Sequence, residues 1–103
     1  MITITLKKEE KNFFNTFIQE HPESVIVLER KMLSGDSDLI QIMIIISPTL
    51  ITVLGNIIVE LIKVKKSFSI KHKGVEINGI TEKNAIEILQ HIIELEENSQ
   101  DNG

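Results

Sequence analysis

The sequence predicts a single α+β domain, and three observations carry that prediction. Apolar residues recur with period two in some segments and at spacings of three and four in others, so strands and helices share the chain. Isoleucine dominates an apolar share of 42%, and β-branched side chains suit a pleated sheet and the helices packed on it. At 103 residues, two domains would each be too short to bury a stable core. The expected domain covers residues 1–95, with an acidic flexible tail over 96–103.

Ile2, Ile4 and Leu6 alternate with Thr3 and Thr5, as in a strand with one buried face. Residues 8–20 change period and place Phe13, Phe14, Phe17 and Ile18 on one helical face, and His21-Pro22 ends that helix. A second strand is expected over 25–33, apolar at first and then charged, as suits a sheet edge. The turn formers Ser34-Gly35-Asp36-Ser37-Asp38 would close a hairpin onto a third strand over 39–46. That strand is apolar on both faces except at Gln41, which predicts a central position with cover on each side.

Ser47-Pro48 reads as a helix opening, with Ser47 as cap. In the helix expected over 48–64, Thr49, Thr52, Asn56, Glu60 and Lys63 form one narrow polar stripe. Gly55 costs that helix about 1 kcal/mol relative to Ala, so a closely packed neighbour should compensate. Phe68 and Ile70, then Lys73-Gly74, then Val75 and Ile77 read as a hairpin. Thr81 would cap a last helix carrying Ala85, Ile86, Ile88, Leu89, Ile92 and Ile93 inward. The order βαββαββα begins as a ferredoxin-like βαββαβ sandwich, extended by a hairpin strand and a C-terminal helix. In that arrangement the last helix would cover the sheet face opposite the first two.

Residues 39–62 also read as an apolar stretch of membrane-spanning length, followed by Lys63, Lys65 and Lys66. Gln41, Pro48, Asn56 and Glu60 oppose that alternative, because an acidic residue at bilayer depth costs roughly 2.5 kcal/mol or more. Strand followed by capped helix accounts for Pro48 and the polar stripe together.

A net charge of −4 supplies no general field for phosphate backbones, so nucleic-acid binding is not expected. With no cysteine there are no disulfides, thiolate nucleophiles or cysteine-ligated metals, and the expected compartment is the cytoplasm. The opening MITITLKKEEKNFF lacks the layout of a secretory signal. His21, His72 and His91 fall in three elements without metal-ligand spacing, and no cofactor or metal site is expected. Glu60 would have a raised pKa only if buried, and the polar stripe predicts that it faces solvent. Ser47 between strand and helix lacks the glycines of a nucleophile elbow, and no catalytic residue is assigned. Lys63, Lys65, Lys66, Lys71 and Lys73 gather around one helix end and the following hairpin, a candidate surface for an acidic partner protein or a phosphate group.

The second half of the chain combines Ser47-Pro48, an apolar helix over 50–62, a basic exit at Lys63 to Lys66, a strand over 68–70, the Lys73-Gly74 turn, a strand over 75–77 and a closing helix over 85–93. In this it resembles the small effector-associated constant component proteins of bacterial conflict and defence systems. Pro48 stands where the family pattern has glycine or alanine, and the first 46 residues match weakly. The resemblance implies a non-enzymatic adaptor that partners an effector or a sensor, and it carries over no catalytic residue. An exposed strand edge and an apolar surface would serve such a role, with a homo-oligomer as one assembly. The alternatives are a ferredoxin-like small-molecule-sensing domain and a membrane-anchored accessory protein.

Overall fold

The computed structural model describes residues 1–30 and 38–101, and for Arg30 and residues 98–101 the backbone alone. The described residues form an α+β fold with one five-stranded antiparallel sheet and three α-helices. The strands are β1 (Ile2–Lys7), β2 (Val25–Arg30), β3 (Leu39–Ile44), β4 (Phe68–His72) and β5 (Val75–Glu76). They lie in the order β2-β3-β1-β4-β5, so β1 and β3 are interior and β2 and β5 form the edges. The helices are α1 (Asn15–Glu20), α2 (Ile51–Lys63) and α3 (Ala85–Asp101).

Period two in the sequence becomes one buried face. Ile2, Ile4 and Leu6 of β1 stand opposite Ile44, Ile42 and Ile40 of β3, and all six are at most 2% exposed. Val25 and Val27 continue two of these rows on β2, and His72 and Ile70 continue them on β4. Fully burying each such aliphatic side chain contributes about 1.5–3 kcal/mol, which makes this ladder the floor of the core.

Phe14, Phe17, Leu54, Ile58, Leu61, Leu89 and Ile92 join the same cluster from the helical layer. Every fully buried sheet residue is on that one face, so α3 packs beside α2 rather than across the sheet from it. The placement expected for the last helix is therefore corrected, and so is the doubly covered third strand. In β3, Leu39, Gln41 and Met43 alternate with the buried isoleucines and remain only half-buried.

Local departures have local causes. Residues Lys8–Phe14 wind as 3₁₀ before α1 begins, so the helix expected over 8–20 is α-helical only in its last six residues. Pro48–Leu50 likewise form a 3₁₀ turn before α2, and Ser47 makes no side-chain cap; its hydroxyl lies 3.1 Å from that of Thr49. The stretch 39–62 is thus strand, turn and helix, and among the described residues no helix is long and apolar enough to cross a membrane.

Thr81 does act before α3. Its hydroxyl accepts from the Asn84 N–H at 3.2 Å, while the Asn84 side chain accepts from the Thr81 N–H at 2.7 Å. The acidic tail expected from Glu96 begins as helix, because α3 continues to Asp101. Residues 31–33 of the expected second strand, the turn at 34–37, and Asn102 and Gly103 lie outside the described residues.

Two glycine-related positions set the helix geometry. At Gly55 a Cβ would come within 2.6 Å of Ile86 Cγ1, so α2 and α3 approach through a glycine notch. At the end of α2 the Lys66 N–H donates to Leu61 O and the Lys65 N–H to Ile62 O, the paired bonds of a Schellman motif. Its left-handed residue is Lys65 at φ 58°, where a glycine would avoid about 1 kcal/mol of strain.

Gly55→Ala alone is expected to destabilise, because overpacking costs about 1–3 kcal/mol and outweighs about 1 kcal/mol of helix propensity. In an Ile86→Ala background the same change should stabilise by about 1 kcal/mol. Lys65→Gly should raise stability by about 1 kcal/mol. Urea unfolding of these variants checks all three signs.

Candidate functional site: an uncovered sheet face

The face of the sheet turned away from the helices has no cover among the described residues. Strand alternation directs Ile26, Met43, Thr3, Lys71 and Glu76 into one outward row, and Leu28, Gln41, Thr5 and Ser69 into the next. Ile45 extends the outward set of β3, since its N–H still bonds to Ser24 O at 2.8 Å. Ile26 and Ile45 are each 52% exposed and Leu28 is 45% exposed. The face therefore grades from apolar over β2 and β3, through hydroxyl and amide side chains in the middle, to Lys71 and Glu76 at the far edge. A contiguous apolar area rimmed by polar residues marks an interaction surface more often than a scatter of single exposed side chains does.

Sequence reasoning did not pick out these apolar residues as a site. The available signal was the run VIVL at Val25 to Leu28 together with the two-faced third strand. Three helices on one side can cover only one of the two faces such strands present.

The five lysines fall into two groups. Lys63, Lys65 and Lys66 stand at the exit of α2, before β4 begins, and the Lys66 ammonium is 3.6 Å from the carboxylate of Glu10, itself nearly buried. Lys71 lies on the open face opposite Glu76, and Lys73 lies in the β4–β5 turn. The length of β4, roughly 15 Å for five residues, separates the groups. Lys65 and Lys73 are also the two non-glycine residues with positive φ among those described. A glycine would hold either position with less backbone strain.

Each histidine has a different setting. His21 follows α1, with its ring 5.1 Å from that of Phe17. His91 is exposed on α3, its Nδ1 4.0 Å from Glu94. His72, on β4 of the hairpin, is 9% exposed, and its Nε2 is 3.2 Å from Glu96 Oε1. Among the described residues no three His, Asp or Glu side chains come together as metal ligands. Glu60 is exposed, in line with the polar stripe.

A groove lies between the β4–β5 hairpin and α3. This open groove of about 1050 Å³ is lined by His72, Val75, Ile77, Ile88, His91 and Leu95, among others. It exists because β5 extends the sheet past the edge of the helical layer, leaving Val75 66% exposed.

Glu96 closes one end of the structure. It accepts from the N-terminal ammonium of Met1 and pairs with His72, tying α3 to β1 and β4. Burial works to raise its pKa, but the ammonium and then His72 outweigh burial and hold the carboxyl below its ordinary value of 4.5.

Comparison with family models, with curated proteins and with solved structures gave no match.

A carboxyl whose folded pKa is depressed contributes stability above its unfolded pKa and loses it as pH falls through the folded one. Glu96→Gln should therefore be less stable than the parent at pH 6, and the gap should close on acidification below about 4.5. Urea midpoints measured from pH 6 to pH 3 give the comparison.

Proposed function

We propose that this protein is a non-enzymatic interaction module that binds a partner protein through the open face of its sheet. The observation that carries this reading is the exposure of Ile26, Leu28 and Ile45 together on a face with no cover among the described residues. Burying that face against a partner removes apolar area from water and leaves the Thr3, Thr5 and Ser69 hydroxyls and the Gln41 amide to fix orientation. Lys71 at the margin, with Lys73 beyond it, favours a partner that is acidic along one side.

The ferredoxin-like reading of the fold is supported by an antiparallel sheet whose first and third strands are interior and whose second strand is an edge. The likeness of residues 47–93 to effector-associated constant components supplies the setting: an adaptor in a bacterial conflict or defence system, working in the cytoplasm beside an effector or sensor. A small-molecule-sensing role is the second reading, supported by the groove between the β4–β5 hairpin and α3.

Co-expression with the effector or sensor encoded beside it tests the first reading. The parent should co-elute with that partner, and a Met43→Lys/Ile45→Asp double variant should lose it while melting at an unchanged temperature. Equal binding by the double variant would rule out the open face. For the second reading, an amino acid or nucleotide that fills the groove must raise the melting temperature, and Ile88→Arg must abolish the rise.

A further inference from the structure

We infer that two copies of this chain pair through their β2 edges, antiparallel about a twofold axis at Val27, so that their sheets join into one. This uses the edge of the sheet rather than its face and stands independently of the partner reading.

The bond from the Ile45 N–H to Ser24 O sets the parity of the β2–β3 ladder. Ser24 O accepts there while the Ser24 N–H donates to His21 O, and Ile26, Leu28 and Arg30 exchange their backbone bonds with β3, so Val25, Val27 and Glu29 direct N–H and C=O outward. None of these outward groups has a partner among the described residues. The opposite edge is blunted, because β5 has only two residues. β2 has six, with no proline or lysine, and its charged residues, Glu29 and Arg30, stand only at its end, leaving Val25 to Leu28 without an edge-protecting charge.

The register follows from the residues. Directly opposed residues must share a face, so even-numbered positions meet even and odd meet odd. Val27 opposite Val27 of a second copy sets Val25 against Glu29 at both ends, and every outward N–H and C=O of the three residues is then paired. Charge selects the same alignment. It holds the two Glu29 carboxylates at opposite ends of the pair, each 3.6 Å from its own Lys8. Sliding one way runs Glu29 past the end of the strand to the 3₁₀ turn Pro22–Ser24, beside Glu23, and sliding the other way draws the two Glu29 residues together.

On the open face the chosen register sets Ile26 against Leu28 of the other copy, merging the two apolar halves into one band. A pair of six-residue strands buries less than the ~800 Å² per partner of a standard stable interface. The dimer is therefore reversible and dissociates on dilution.

Sedimentation velocity over a concentration series tests the pairing with three chains. The parent should shift from 11.7 kDa toward twice that mass as concentration rises. Ile26→Lys/Leu28→Lys should remain monomeric, because the register sets lysine against lysine. Ile26→Lys/Leu28→Glu should dimerise again, since lysine then faces glutamate at both crossings. A parent monomeric throughout, a dimer surviving in the double-lysine variant, or no recovery with the lysine–glutamate pair overturns the proposal. Amide exchange on the parent alone gives a reading free of mutation. Val25, Val27 and Glu29 should gain protection with concentration, and unchanged exchange at these three also overturns it.

Discussion

Single-sided burial of the two interior strands is the constraint on which the rest of the molecule depends. Ile2, Ile4 and Leu6 face Ile44, Ile42 and Ile40 across one ladder. Once that ladder is sealed, any helix that buries an apolar stripe must do so on the same side, because the other face presents Thr3, Thr5, Gln41 and Ser69 in its middle. An antiparallel sheet tolerates this arrangement, with one face packed and one solvated. The unusual part is confined to Ile26 and Leu28 of β2 and to Met43 and Ile45 on and after β3, outward residues that water does not favour.

Crowding three helices onto one face has two structural consequences. α2 and α3 must come close, and Gly55 supplies the room by leaving a notch for Ile86. The layer still falls short of β5, so the hairpin overhangs and the groove beside α3 opens. Glu96 then holds α3 against the sheet through the Met1 ammonium and His72, which explains why a histidine from the last part of β4 is buried rather than exposed.

Much of this architecture was legible in the residues, and the failures share a cause. Alternation at 2–6, the polar stripe of α2 and the Lys73-Gly74 turn are local patterns, and each produced the element it indicated. The sheet side chosen by α3 is not local, since its apolar stripe calls only for a sheet to pack on, and the polar residues that exclude the other face, Thr3, Thr5, Gln41 and Ser69, lie far away in the sequence. β3 misled for a related reason, because hydrophobicity alone does not distinguish a face covered within the chain from one left open. The Schellman end of α2 was hidden because lysine occupies the place where glycine signals it. Of the candidate site, the lysines were legible as charges, but their division between the ends of β4 depended on the hairpin. The apolar face itself was read as core.

The open face and the open edge meet at β2, and that coincidence decides how the surface must be managed. A long apolar edge strand beside an apolar face is a template for uncontrolled strand addition. Charged gatekeepers in its middle would suppress this, yet β2 has none between Val25 and Leu28. Selection against aggregation would replace Ile26 or Leu28 at little structural cost, since neither contributes to the core. Occupation of this surface in the working protein, as proposed above, would account for their presence, with the polar centre of the face and the Lys71–Glu76 margin limiting which surfaces could occupy it.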